Sequence, residues 1–481
     1  MSITNILIIT AACLIGGRLL PFKICYWFVF CASILGIFIL QPVSPIHNLS
    51  FWFPLVALSL TIFVWAITQR EGVLSSHSNI VGGILITVII GIIAISRYIN
   101  PICCITPERP PQIATIIIVV LVIIGLTWTF LLHSKNPVTT WSLFIIILLI
   151  FVILKLPWLT EKVSIMLRII NRQDVHLASS LDLYWLGYSY LAFRLLHVLR
   201  DFQSGRLTQI SLSDFICYTL YLPSYVSGPI DRSQHFISEL NQKYHTPTAI
   251  NTDEYIEIIV GCKRIIRGIF KKFVLADTLA LIALNSQNAL KITSSFWLWV
   301  ILYAYTLRIY FDFSGYTDIA IGISKLLGIT LPENFESPYL KTSLISFWNS
   351  WHITLAQWFR TYFFYPLTRK LRLNFARLPF WIIIMIGQLA TMLLIGLWHG
   401  LSWNFAIWGV WHGFGLFINN RWSAWIKRYS LDIFLKPGTK FIAQFLGWLL
   451  TFNFVALGWV WFILPDLGNA FTIFLRLFGK Y

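Results

Sequence analysis

Charge is scarce in this sequence, and negative charge scarcest: 481 residues hold 19 Asp and Glu against 36 Lys and Arg, and 57% of the chain is hydrophobic. Such a shortage excludes an ordinary soluble domain and points to a polytopic membrane protein, for which length does not bound a domain count. The seven cysteines, Cys13, Cys25, Cys31, Cys103, Cys104, Cys217 and Cys262, form no CxxC pair and fall mostly in apolar runs. Neither a disulfide framework nor a zinc site is expected of them; they read as small apolar residues. No HExxH, GxSxG or phosphate-loop pattern occurs. No cationic stretch precedes the first apolar run and no small-residue cleavage site follows it, so that run is expected to remain as a span.

What the sequence has in quantity is uncharged apolar length. Runs at 3–17, 24–41, 51–67, 80–96, 113–132, 139–154, 379–398, 401–419 and 441–464 each approach the ~20 residues that cross a bilayer, with weaker ones near 177–196, 212–227 and 295–313. The expected fold is an all-α polytopic membrane protein, with about eleven or twelve transmembrane helices and re-entrant or interfacial helices around a central cavity. The formal charge of +17 fits Lys and Arg gathered at headgroups and in cytoplasmic loops, so the lipid bilayer is the expected partner and nucleic acid is not. Alternate loops differ only slightly in basic residues, with a bias toward a cytoplasmic N-terminus.

Three regions follow from the distribution of polarity: a scaffold of plain apolar helices over 1–154, a functional core over 155–425, and a membrane helix with its tail over 426–481. In the core, Glu254 to Ala276 reads as an amphipathic helix lying in the interface, with Lys263, Arg267 and Lys271 recurring every four residues toward phosphate. The lesser alternative is recruitment of an acidic cytoplasmic partner such as an acyl carrier protein. Arg308 and Asp312, four apart in an apolar run, are expected to neutralise each other. Pro332, Pro338, Pro366 and Pro379 bracket a re-entrant or interfacial layer between 331 and 378. Within it Trp348, Trp351, Leu355, Trp358, Phe359 and Tyr362 follow helical spacing, and His352 shares their face.

Histidine and tryptophan occur together three times in this apolar setting: Phe347-Trp348-Asn349-Ser350-Trp351-His352, Gly396-Leu397-Trp398-His399-Gly400 and Trp408-Gly409-Val410-Trp411-His412-Gly413. Burial disfavours the imidazolium, so an embedded histidine stands neutral and able to accept a proton, as a general base must. Gly400 and Gly413 leave room beside the rings, either for a substrate or for a neighbouring helix. The spacings of 47 and 13 residues suit no common metal motif, so no metal is expected.

The run Arg308-Ile309-Tyr310-Phe311-Asp312-Phe313-Ser314-Gly315-Tyr316-Thr317-Asp318, with Pro332-Glu333-Asn334-Phe335, the FWNSWH segment ending at His352 and the WHG segment at His399, resembles the bacterial branch of the membrane-bound O-acyltransferase family. Tyr221-Leu222-Pro223, Ser227-Gly228-Pro229-Ile230 and Gly268-Ile269-Phe270-Lys271-Lys272 resemble it too, and the likeness runs from about 180 to 425. It implies an acyltransferase of the bacterial inner membrane. The acyl group, acetyl or D-alanyl, would pass from a cytoplasmic thioester donor, acyl-CoA or an acyl carrier protein, to hydroxyls of an extracytoplasmic polymer, with a further extracytoplasmic acyltransferase as a possible partner and no tightly bound cofactor. His399 matches the family's essential histidine and His352 the second. Asn349, Asp312 and His412 are candidate supporting residues, His412 chiefly structural. Thr361 stands after Arg360 where an acidic residue is usual, which puts an ion pair there in doubt. A secondary transporter or lipid flippase would use intramembrane Asp312, Asp318 and the histidines as a proton path, and a non-catalytic scaffold would not need them.

Overall fold

A computed structural model describes residues 3–18, 20–69, 76–99, 105–134, 136–244, 253–428 and 437–480. Every regular element among them is helical; the one extended feature is an isolated antiparallel bridge between Phe335 and Trp351. The chain divides into two compact units, Met1–Ile265 with Ala320–Leu331, and Ile266–Ile319 with Pro332–Tyr481. This partition follows packing, whereas the boundaries at 154 and 425 follow polarity.

In the first unit the Leu49–Ile67 helix is central, with 78% of its residues buried, while Ile113–Leu132 has 6% and Pro137–Lys155 17%. Those last two show Ile117, Leu121, Ile124, Trp128, Trp141 and Leu149 outward, which suits a hydrocarbon surround. Helix starts are written locally: Asn136 accepts from the Val138 N–H at 2.9 Å with Pro137 in the first turn, and Ser211 accepts from the Asp214 N–H at 3.1 Å. Two buried guanidinium groups here are held by several hydrogen bonds each. Arg168 donates twice to Asp182 (3.0 and 2.8 Å), and Arg194, 2% exposed, donates to the carbonyls of Tyr218, Thr219 and Ser224 and to Ser224 Oγ.

Seven helices among the described residues are long and apolar enough to cross a membrane: Lys23–Leu40, Leu49–Ile67, His77–Ser96, Ile113–Leu132, Pro137–Lys155, Phe380–His399 and Thr439–Ile463. That is fewer than the eleven or twelve expected. The Ile3–Arg18 and Tyr188–Gln203 helices have 16 residues each and Leu212–Thr219 only eight. Ser295–Leu326 (32 residues) and Trp403–Arg428 (26) have the length but interleave polar residues with apolar ones. Cys103 and Cys104 lie outside the described residues, and none of the other five cysteines is in a disulfide.

The second unit corrects three local expectations. The amphipathic Asp253–Ile269 helix passes into a π-helical stretch, Phe270–Ala276, and there the cations turn inward: Lys271 Nζ donates to Asp318 at 2.7 Å and Lys272 pairs with Asp312. Asp312 is therefore neutralised from 40 residues away and not by Arg308. The approach is close because both sides carry glycine; a Cβ on Gly268 would stand 2.5 Å from the Gly315 carbonyl oxygen. Last, the helical spacing over 348–362 is not one helix. Leu344–Trp348, started by Ser343, stops at Asn349, and Ile353–Phe359 begins only after His352.

Candidate active site

Two helices build the framework of the site. Phe380–His399 and Trp403–Arg428 are joined by three residues and pack at backbone distance. A Cβ on Gly409 would meet the Met392 carbonyl oxygen at 2.5 Å, one on Gly413 the Leu389 Cα at 3.0 Å, and one on Gly396 the Phe405 carbonyl oxygen. With lipid as apolar as the helices, such close fit is what drives helix association. Helix packing is thus what Gly413 serves, and a Cβ on Gly400 would stand 2.6 Å from the Phe405 ring. The hairpin leaves His399 as the last residue of its helix, half-buried among Trp398, Phe405, Trp408 and Phe462, with ring centres 4.5 to 6.1 Å away.

His352 sits where the layer breaks. Its backbone is left-handed (φ 43°, ψ 52°), an unfavourable conformation for a residue with a side chain. The break is held by the Pro332–Phe335 segment: the Ile353 N–H donates to the Asn334 carbonyl at 3.0 Å, the Glu336 N–H to that of Ser350 at 3.0 Å, and Phe335 bridges Trp351. The imidazole, 3% exposed, places Nδ1 3.1 Å from Asn334 Oδ1; Nε2 is buried without a hydrogen-bond partner. The ring lies edge-on to Phe313 at 4.7 Å and 6.1 Å from Trp398. Burial pushes its pKa down, so the neutral form prevails.

Trp398 therefore touches both His352 and His399, and Trp408 touches both His399 (5.5 Å) and His412 (4.9 Å). The three histidines share one aromatic cluster but are linked through tryptophans. His412 is wholly buried with neither ring nitrogen hydrogen-bonded, packed on Trp348 at 5.2 Å; a Cβ on Gly458 would stand 2.8 Å from its Nε2.

A cavity of 330 Å³ opens beside Trp348, lined also by Asn349, Arg360, Gln388, Met392 and Asn420, and by no histidine. Arg360 donates to Asn349 Oδ1 at 2.7 Å, so its partner is Asn349. Asp312, half-exposed on Lys272, is removed from the rings, although the next residue, Phe313, contacts His352. Among the described residues no three His, Cys, Asp or Glu side chains gather as metal ligands.

Sequence reasoning quoted Asn334 within a motif and gave it no role. Its burial and its accepting oxygen become visible only in the fold, where Oδ1 is engaged and Nδ2 is without a partner. Gln388, whose buried Oε1 has no partner beside the cavity, gave no signal either in its apolar helix.

Comparison with known proteins bears on this same segment. The family model of the membrane-bound O-acyltransferases matches residues 122–457. The chain is 34% identical over 295 residues to the probable alginate O-acetylase of Azotobacter vinelandii, covering 61% of this chain and 54% of that one. It is 32% identical over 288 residues to the teichoic acid D-alanyltransferase of Streptococcus thermophilus (58% and 68%), and 32% over 272 residues to the peptidoglycan O-acetyltransferase of Helicobacter pylori (56% and 48%). The matches span about half the length of the alginate and peptidoglycan relatives. With the family match covering well over half of its residues, and both candidate histidines inside it, this polytopic all-α chain belongs to the membrane-bound O-acyltransferase family.

Proposed function

We propose that the protein is an O-acyltransferase of a bacterial cytoplasmic membrane, moving an acyl group, acetyl before others, from a cytoplasmic thioester donor to hydroxyls of an extracytoplasmic polysaccharide or other cell-envelope polymer. The observation that carries this reading is that His399 and His352 both pack on Trp398 inside the family-matched segment. His399 acts as general base, taking the proton of the attacking hydroxyl, from the acceptor or from a partner's serine, as its oxygen bonds to the thioester carbonyl carbon. Collapse of the tetrahedral intermediate breaks the C–S bond, and the proton passes from the imidazolium to the departing thiolate. Such assistance contributes about 10² to 10⁴ in rate, with positioning and oxyanion stabilisation supplying the remainder.

His352 and Asn349 support the reaction. Since Asn349 Oδ1 is engaged by Arg360, its amide NH₂ is the end that can donate to an oxyanion. Tryptophan and phenylalanine rings around His399 keep water from the acyl group. Arg360 at the cavity, followed by Arg369, Lys370 and Arg372 on the Tyr365–Asn374 helix, suits a phosphate-bearing donor, acyl-CoA or an acyl carrier protein. A partner acyltransferase outside the membrane completes delivery to a distant polymer. D-alanyl is the alternative cargo, because the relatives include teichoic acid D-alanyltransferases.

The test is transfer in membrane vesicles from labelled acetyl-CoA or a charged carrier protein, comparing wild type with His399→Ala at equal expression. Loss of transfer in the variant alone is expected; equal transfer by both overturns the reading. Transfer from a D-alanyl carrier and not from acetyl-CoA exchanges the cargo.

A further inference from the structure

Asn334 Oδ1 is a point on which several donors converge. The Thr354 backbone N–H lies 3.2 Å away, the Thr354 hydroxyl 3.0 Å and His352 Nδ1 3.1 Å, all buried. A backbone N–H can only donate, so the atom it faces is the amide oxygen, and the Asn334 amide cannot be turned over without setting its NH₂ against that N–H. Oδ1 can only accept. A bare Nδ1 lone pair at 3.1 Å from that oxygen would be repelled, so Nδ1 must carry the proton. A neutral imidazole has one N–H, and the other nitrogen, the buried and unpartnered Nε2, is then a lone pair.

We infer that Asn334 is a positioning residue that locks His352 in the Nδ1–H tautomer, so that Nε2 enters the site as a proton acceptor and not as a hydrogen-bond donor. The inference rests on the acyl-transfer reading and narrows it: neutral His352 cannot stabilise an oxyanion through Nε2, and that duty falls to another donor. It also explains an otherwise costly arrangement. A buried ring nitrogen without a partner gives up a hydrogen bond that water supplies in the unfolded chain. The groups against the ring are Asn334, Phe313 and Trp398, none of them charged, so the tautomer is set by the one hydrogen bond.

The experiment measures kcat and KM of transfer in vesicles against pH for wild type, Asn334→Asp, Asn334→Ala, His352→Ala and the Asn334→Ala/His352→Ala pair, with His399→Ala as reference. Aspartate keeps the volume and the accepting oxygen but places a negative charge beside the ring. It favours the imidazolium, so Nε2 is protonated up to higher pH and the acid limb of kcat moves upward by at least about one pH unit. Asn334→Ala lowers kcat about 10²-fold with KM changed less than threefold, and the double variant is no slower than His352→Ala. An Asn334→Asp profile that coincides with wild type, or a double variant whose loss is the product of the single losses, overturns the inference and assigns Asn334 to holding the chain break. Should Asn334→Ala not accumulate in the membrane, the pH profile of Asn334→Asp decides alone. Wild-type transfer that is absent or insensitive to His399→Ala overturns instead the reading beneath it.

Discussion

His197 and His352 are both buried imidazoles, and they differ in what their nitrogens do. In the first unit, His197 is 1% exposed; its Nδ1 lies 3.2 Å from the Phe193 carbonyl and its Nε2 3.1 Å from the Tyr218 hydroxyl, which itself donates to Asp231 O. In the second, His352 has one nitrogen engaged and one bare, and His412 has neither engaged. Burial alone thus says nothing about role. A histidine with a polar atom against each nitrogen fastens structure, as Arg194 does through four hydrogen bonds in the same unit; one with a bare nitrogen at a backbone break is, on the acyl-transfer reading proposed above, open to a substrate. His412 occupies a third condition, a ring used as a ring between Trp348 and Trp408.

Substitutions can break this contrast in graded steps. The largest effect is expected at His399, where alanine should lower transfer by about 10³- to 10⁴-fold with unchanged detergent-solubilised melting, as labelled-acyl transfer and thermal unfolding would show together. His352→Ala should cost about 10²- to 10³-fold in kcat, again without loss of folded protein; a matching fall in melting temperature would make His352 another His197. For His197→Phe the order reverses: about 1–2 kcal/mol of stability is lost, read as a lower melting temperature, while kcat per folded molecule stays within twofold. The smallest effect belongs to His412→Leu, which surrenders no hydrogen bond and should change stability by about 1 kcal/mol and transfer by less than threefold. A tenfold loss there would move His412 into the working site.

Much of this was legible in the residues. The runs at 51–67, 80–96 and 113–132 became helices within a few residues of their limits, because an uncharged apolar stretch of that length has few other solutions. The histidines of the WHG and FWNSWH segments stand out in the sequence because titratable groups are costly in apolar surroundings. What sequence could not show is pairing at a distance. Asp312 had Arg308 one turn away and took Lys272 from another helix. The spacing of Trp348, Trp351 and Leu355 fits an unbroken helix as well as a broken one, and nothing local announces that His352 adopts a positive φ. Asn334, eighteen residues upstream, holds that break, and only the fold brings the two together.

The left-handed backbone at His352 sets two kinds of selection against each other. Holding a side chain there costs about 1–2 kcal/mol of backbone strain relative to glycine, which glycine would relieve only by giving up the imidazole with its Asn334 hydrogen bond and its packing on Phe313 and Trp398. In a search for thermostable variants, position 352 is accordingly one where relief of backbone strain and loss of the imidazole come in the same substitution.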